Sequence, residues 1–316
     1  MTRPGRYFAE RNRRGAERVV KSQPDRIARR GDAGDKAVVA LCFGRSKWTA
    51  RGTAFGIEEA RNPELSESAA RDGMKPNNDP RISPSLVSVS GISKSFGRGF
   101  ALQDVGFTAR ASEVLGLIGP NGAGKTTLFE CVAGTMAADR GTVRVREQAI
   151  APLQRKDALF YLLDRIVPWA AQSVSWVLGL FESLYAPKVK ASDLIERPRL
   201  SSLTGARLGT LSKGELKRTL LALGLLTPQP LLLLDEPFDG LDLRQTRDVM
   251  TLLREHASLG RTLMLSIHQL VDAARVCDRL VLLSAGRVVG EGTLDDLRAR
   301  AGMPQAGLEE IFLALT

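Results

Sequence analysis

The sequence predicts an α/β fold in which a mostly parallel sheet is flanked by helices. Short apolar runs bounded by Pro, Asp, Gly or His, such as PLLLLDEP and RTLMLSIH, are typical of buried strands. Strands of this kind that alternate with helices favour a parallel sheet covered on both faces. The helical patterns lie at Lys125–Ala133, Lys213–Leu226, 243–256 and Leu270–Val276.

The remaining elements are predicted on either side of the first helix. LVSVSGI, from residue 86, alternates between apolar and polar residues as a strand does, and ALQDVGFTARASEVLGLIG indicates two more strands separated by a turn. Residues 161–207 contain long apolar and aromatic stretches without strong strand signals. We interpret this segment as a helical insertion, with a helical subdomain at about 161–225 inside a domain that spans 85–316.

Residues 1–84 form a basic extension. The net charge of the chain is +10, and residues 1–82 carry +7 of it. Their polar, Arg-rich composition without periodicity predicts a disordered extension, or a start assigned upstream of a true beginning near Met74. An Arg-rich start also fits a surface anchor for anionic lipid or nucleic acid. The extension lacks the apolar stretch of a secretory signal.

Composition excludes several classes of protein. The three cysteines, Cys42, Cys131 and Cys277, are far apart and odd in number. They indicate neither a disulfide framework nor a zinc site, and they fit a reducing cytoplasm. No uninterrupted apolar run reaches the roughly 18 residues of a membrane span, so we expect any contact with a membrane to be peripheral.

A phosphate-binding loop lies between a strand and a helix. GPNGAGKT, residues 119–126, satisfies the pattern G-x-x-x-x-G-K-[ST]. Glycines allow backbone N–H groups to approach a triphosphate, and the following helix directs its N-terminus at the anion. Lys125 is expected to reach the β- and γ-phosphates and Thr126 to hold Mg²⁺. The predicted nucleotide contacts of this loop are Gly119, Pro120, Asn121, Gly122, Ala123, Gly124, Lys125, Thr126 and Thr127.

Two acidic residues and a histidine follow neighbouring strands. Asp235 and Glu236 come directly after four leucines, and His268 follows TLMLSI. Ligands of open α/β sheets lie beyond the carboxyl ends of the strands, which places these residues beside the phosphate loop. We expect Asp235 to bind Mg²⁺ through water and Glu236 to act as the general base for an attacking water. His268 would hold Glu236 or the water, or sense the γ-phosphate.

The segment LSKGELKR occupies residues 211–218, and its serine, Ser212, lies 23 residues before Asp235. The segment resembles the signature motif of ABC ATPases, usually written LSGGQ, and the resemblance covers about residues 86–316. It implies a phosphate-loop nucleotide hydrolase core with an antiparallel β subdomain and an inserted helical subdomain. It also implies ATP and Mg²⁺ as ligands, and a head-to-tail dimer of ATP-binding domains. In such a dimer the signature residues Ser212, Lys213, Gly214 and Glu215 face the nucleotide of the other subunit.

The resemblance assigns further residues and shows three departures. Phe96 is similar to the aromatic residue that stacks on adenine, and Asp242 ends a segment similar to the D-loop. Lys213 and Glu215 stand where the family has Gly and Gln. Asp164 stands 39 residues after Lys125, where the family has a glutamine that contacts Mg²⁺ and the attacking water. Asp keeps an oxygen ligand for the metal but adds charge; Gln172 is the alternative candidate for this position.

The C-terminal sequence resembles that of ATPases that serve ABC-2-type exporter permeases. We therefore expect a peripheral subunit on the cytoplasmic side of the membrane that powers a separately encoded permease, and we do not expect nucleic acid as a partner. The permease is expected to dock on the aromatic-rich segment 161–185, which includes Trp169 and Trp176, although these side chains also fit an ordinary core. A regulatory, weakly hydrolysing subunit and a soluble non-transport ABC ATPase are the alternatives.

Overall fold

The computed structural model describes residues 85–97, 99–164, 166–185, 187, 191–196 and 200–316. The predictions made for residues 1–84, including Cys42, lie outside these residues. None of the described helices combines the length and the apolar composition that a membrane crossing requires.

Ten strands of the described part of the chain form two sheets. The four-stranded sheet has the order β2-β1-β4-β5 and is antiparallel, and the six-stranded sheet has the order β10-β9-β3-β8-β7-β6. In the larger sheet only the pairing of β10 with β9 is antiparallel. The predicted mostly parallel sheet and antiparallel subdomain are both confirmed. The strands are β1 (Ser85–Phe96), β2 (Gly99–Arg110), β3 (Val114–Ile118), β4 (Arg140–Val145), β5 (Gln148–Ala149), β6 (Leu159–Leu162), β7 (Leu231–Asp235), β8 (Thr262–Ile267), β9 (Arg279–Ser284) and β10 (Arg287–Gly292).

Eight α-helices are found among the described residues. Three of them, α1, α4 and α6, have the bounds that the sequence predicts, and α5 extends two residues beyond the predicted 243–256. The helices are α1 (Lys125–Ala133), α2 (Val174–Tyr185), α3 (Ala191–Glu196), α4 (Lys213–Leu226), α5 (Leu243–Ser258), α6 (Leu270–Val276), α7 (Leu294–Ala301) and α8 (Leu308–Leu315).

The segment 161–207 is less helical than predicted. It begins inside β6, whose residues Tyr161 and Leu162 pair with Leu233 and Leu234 of β7. Helices α2 and α3 follow, with a short 3₁₀ turn at Ser201–Leu203. All four residues of β6 are buried, and a short run of this kind has no periodicity that separates a strand from a buried helix. The helical subdomain therefore begins after the edge strand of the sheet.

Each face of the parallel sheet lies against its own apolar core. Leu231 and Leu233 of β7 pack in the core that α1 and the antiparallel sheet share, whereas Leu232 and Leu234 pack in the core beneath α2, α4 and α5. This alternation follows from the two-residue period of a strand, and burial on both faces explains the four consecutive leucines.

The register of the parallel strands determines where the functional residues lie. Ile118 pairs with Ile267 across β3 and β8, and Asp235 pairs with Ser266 across β7 and β8. The residues that follow these strands therefore leave the sheet at one edge. That edge collects the phosphate loop, Glu236 and His268.

Candidate functional site

The loop before α1 is shaped for close approach to an anion. Gly124, the residue before α1, has φ +104°, and a Cβ there would lie 2.7 Å from the carbonyl oxygen of Ala101. A Cβ on Gly119 would lie 2.3 Å from the carbonyl oxygen of Leu283. No side chain caps the N-terminus of α1, and its first turn contains no acidic residue. The first N–H groups of α1 therefore remain available to a phosphate.

Lys125 lies at the centre of this loop and is 7% exposed. Its Nζ donates to the carbonyl oxygens of Gly119 at 2.8 Å and Pro120 at 3.3 Å, and lies 3.7 Å from Glu236 Oε1. The buried ammonium is held mainly by neutral carbonyl oxygens, and its distance to the Glu236 carboxylate exceeds that of a hydrogen bond. It can therefore bind an additional anion. The residues present thus fit the triphosphate that the motif predicts.

Thr126 and Asp235 bring hard oxygen ligands together. Thr126 Oγ1 donates to Asp235 Oδ2 at 3.0 Å, and Ser266 Oγ donates to Asp235 Oδ1. Among the described residues no group of three or more His, Cys, Asp or Glu side chains is arranged to hold a metal ion. Mg²⁺ is commonly bound through one or two carboxylates together with substrate phosphates and water, and the Thr126–Asp235 pair fits that mode.

Glu236 projects from the end of β7 in an unusual backbone conformation. Its φ is +49°, and its N–H donates to Ser266 Oγ at 3.0 Å. Glu236 Oε2 lies 2.6 Å from His268 Nδ1, and Oε1 faces Lys125. The carboxylate is thus oriented by a ring nitrogen on one side and an ammonium on the other, next to the Thr126–Asp235 pair.

The predicted signature begins α4 and contacts the predicted D-loop. Ser212 caps α4: its Oγ accepts from Glu215 N–H, and its own N–H donates to Glu215 Oε2 at 2.8 Å. Lys213 forms an ion pair with Asp239, and a Cβ on Gly214 would lie 2.6 Å from the carbonyl oxygen of Gly240. Asp242 caps α5 by accepting from two N–H groups of its first turn.

The Glu at position 215 completes the cap of α4. The backbone N–H of Ser212 and then its hydroxyl lower the pKa of Glu215. Because the pKa is lower in the folded protein, this carboxylate contributes stability above its unfolded pKa, and the contribution is lost as the pH falls through the folded pKa. The substitution at this signature position therefore preserves the start of the helix.

Removing the cap gives a testable effect on stability. Ser212→Ala is expected to lower the free energy of unfolding by about 1 kcal/mol, since Glu215 N–H loses its acceptor. Glu215→Gln is the matched control, and it should change stability by less than about 0.5 kcal/mol at pH 7 because Gln also completes a capping box. Urea unfolding followed by circular dichroism measures both, and equal losses in the two variants would contradict the assignment.

Phe96 and Asp164 differ in how well their surroundings match the predicted roles. Phe96 ends β1 with 53% exposure, and Lys94 Nζ lies 5.6 Å from its ring centre, so the ring is exposed enough to stack on a base. Asp164 Oδ1 instead accepts from Lys217 Nζ at 2.7 Å, which commits one of its oxygens to an ion pair. Gln172 contributes backbone hydrogen bonds to Trp169 and Leu208. The adenine-stacking and metal-binding roles remain predictions.

Comparison with known proteins identifies the family. The profile described as ABC transporter matches residues 102–239. The Nod factor export ATP-binding protein I of Rhizobium johnstonii is 33% identical over 218 residues, which cover 67% of this chain and 70% of that protein. The chain belongs to the ABC transporter family. As an ATP-binding subunit of that family it is an ATPase, and the predicted resemblance is confirmed.

Further relatives and solved structures agree with this family. The doxorubicin resistance ATP-binding protein DrrA of Mycobacterium tuberculosis is 32% identical over 225 residues, covering 68% of each chain. A solved structure described as the ATP-binding subunit of an ABC transporter superposes with a TM-score of 0.67 at 29% identity, covering 73% of this chain and 99% of that one. A nucleotide-free ATP-binding cassette superposes with a TM-score of 0.61 at 23% identity, which supports the fold.

Sequence reasoning missed three residues that lie beside the candidate site. Ser266 touches both Asp235 and Glu236, and a lone serine inside the apolar strand TLMLSI was the available signal. Lys217 is buried and contacts Asp164 and Asp235. Tyr161, in β6, has a buried hydroxyl, and burial, followed by the charge of Asp235, raises its pKa. Burial of these polar groups is visible only after folding.

Proposed function

We propose that this chain is the ATP-hydrolysing subunit of an ABC exporter and powers a separately encoded membrane permease. The observation that carries the proposal is the convergence of Lys125, the Thr126–Asp235 pair and Glu236 at one edge of the parallel sheet. Export is supported by the Nod factor export and doxorubicin resistance ATP-binding proteins to which the chain is similar.

The residues have separate roles in this proposal. Lys125 and the free N–H groups of α1 bind the β- and γ-phosphates, and Thr126 and Asp235 hold the Mg²⁺ ion. When bound, Mg²⁺ neutralises negative charge on the phosphate oxygens. Glu236 orients a water molecule and accepts its proton, and His268 holds the carboxylate in place. Phe96 stacks on the adenine.

The complete site requires a second ATP-binding domain. Ser212 and Gly214 lie at the N-terminus of α4, where free backbone N–H groups attract a phosphate. In the same chain Lys213 pairs with Asp239 and Gly214 packs against Gly240 of the D-loop, and in the proposed arrangement the phosphate is supplied by a facing subunit. We propose a head-to-tail dimer, formed by two copies or by a related chain. ATP binding closes it and hydrolysis reopens it, which biases the permease between its two states.

The helical subdomain offers the docking surface for the permease. Trp169 is 9% exposed and packs edge-to-face with Phe181, so it belongs to the core. Val167 and Leu184, at 46% and 38% exposed, are the large apolar side chains of 161–185 that reach the surface, and Trp176 is half-buried. Surface apolar groups of this kind suit a partner segment better than water.

A regulatory, weakly hydrolysing subunit is the second candidate, because the ion pair with Lys217 commits an oxygen of Asp164. Phosphate release from ATP by the purified full chain, with and without Mg²⁺, distinguishes the two. We expect Mg²⁺-dependent turnover that stops on chelation of the metal. ATP binding without turnover would favour the regulatory candidate, and failure to sediment with membranes that contain the co-expressed permease would contradict the transport role.

A further inference from the structure

The peptide bond between Asp235 and Glu236 is held from both sides. Its carbonyl oxygen, which belongs to Asp235, accepts from Lys217 Nζ at 3.3 Å. Its N–H, which belongs to Glu236, donates to Ser266 Oγ at 3.0 Å. Because a peptide is planar, these two hydrogen bonds fix the rotation of the whole unit. That rotation sets the direction in which the side chain of Glu236 leaves β7.

Glu236 depends on this support because its backbone conformation is unfavourable. A φ of +49° lies in the left-handed region, which residues with a Cβ rarely adopt. Such a conformation persists only where the surrounding structure fixes it. The contact of Lys217 with the preceding carbonyl therefore acts on the geometry of Glu236, although Lys217 belongs to α4 and Glu236 to the loop after β7.

Lys217 in turn depends on Asp164. The lysine is 5% exposed, and Asp164 Oδ1 lies 2.7 Å from its Nζ. A buried ammonium without a charged partner is unfavourable, so the carboxylate keeps Lys217 charged and in place. The contacts thus run from Asp164 to Lys217, from Lys217 to the peptide, and from the peptide to Glu236.

We propose that Lys217 is a positioning residue for Glu236 and that Asp164 anchors Lys217. This inference rests on the proposed function, in which Glu236 is the general base. It gives Asp164 a role other than metal binding. The residue at the position of the family glutamine holds the lysine that orients the base, rather than contacting Mg²⁺ or water itself.

The test uses Lys217→Met in the full chain, which keeps the length of the side chain and removes the ammonium. We expect kcat to fall about tenfold to a hundredfold, since a small misplacement of a catalytic group has an effect of this size. Affinity for ATP should stay within about twofold, because Lys217 does not contact the phosphate loop. A wild-type kcat would overturn the proposal.

Arg254→Met is the matched control. Arg254 Nη1 also bridges a carboxylate and a backbone carbonyl, those of Asp278 and Val276, but at the opposite edge of the sheet. Asp278 accepts from the N–H of Val114, the first residue of β3. Loss of this bridge is expected to leave kcat within about twofold of wild type. An equal fall of kcat in both variants would show a general loss of structure and overturn the positioning role.

A double variant separates this inference from the proposed function. In the Glu236→Gln background, Lys217→Met should change the residual rate of phosphate release by less than about twofold, because the residue through which Lys217 acts is absent. If Lys217→Met lowers the rate in the Glu236→Gln background by the same factor as in the wild type, the inference alone is overturned. Rapid turnover by Glu236→Gln itself would overturn the proposed function. If Lys217→Met does not fold, Asp164→Ala replaces it, and a wild-type kcat in that variant overturns the proposal.

Discussion

Glu236→Gln is expected to lower ATP hydrolysis by roughly 10²- to 10⁴-fold, the usual contribution of a general base. The amide cannot accept the proton of the attacking water, but it has nearly the size of the carboxylate and can still hydrogen-bond to His268. The backbone conformation at φ +49° is equally demanding for Glu and Gln, so the fold should not change. The variant isolates the chemical step, and phosphate release from ATP measures it.

The same variant should accumulate as an ATP-bound dimer. Its phosphate loop and the cap of α4 are intact, so both halves of the proposed composite site can still bind nucleotide. Size-exclusion chromatography with light scattering, with and without ATP, measures the change in mass. Glu309→Gln is the matched control, since Glu309 is exposed in the first turn of α8. Rapid turnover by Glu236→Gln would contradict the roles proposed here. So would the absence of an ATP-dependent dimer in both variants.

The sequence was sufficient for the parts of the site that are local in the chain. The phosphate loop, the start of α4 and the strand end at Asp235 each depend on fewer than ten consecutive residues, whose glycines, capping residues and apolar runs determine the backbone directly. The register of the parallel strands then brings these segments to one edge, as the rule for α/β sheets predicts.

Contacts between distant segments could not be predicted in the same way. Asp164 and Lys217 are 53 residues apart, and Ser266 lies 31 residues from Asp235. No periodicity links such pairs. Asp164 and Lys217 meet because α4 packs against β6 and β7, and Ser266 meets Asp235 because β8 pairs with β7. The strand β6 was missed for a related reason, since four buried residues carry no period and only pairing with β7 makes them a strand.

Lys125→Ala is expected to weaken ATP binding by roughly 10- to 150-fold, which corresponds to the 1.5–3 kcal/mol of hydrogen bonds to a charged group. Without nucleotide the ammonium is held by the carbonyl oxygens of Gly119 and Pro120 and lies 3.7 Å from Glu236. Truncation opens space for water, which can hydrogen-bond to these carbonyls, so folding should be affected less than binding. In this variant the phosphate loop, residues 119–126, no longer supplies a buried cation to the phosphates.

The loss is measured by the rise in melting temperature that Mg·ATP produces. A ligand that binds only the folded state stabilises it by RT ln(1 + [L]/Kd), so a weaker affinity reduces the rise at a fixed ATP concentration. Lys156→Ala is the matched control, because Lys156 precedes the amino end of β6, at the sheet edge away from the phosphate loop. If Lys125→Ala kept the full ATP-dependent rise, its ammonium would not bind phosphate. The loop before α1 would then have to bind the triphosphate through its N–H groups alone.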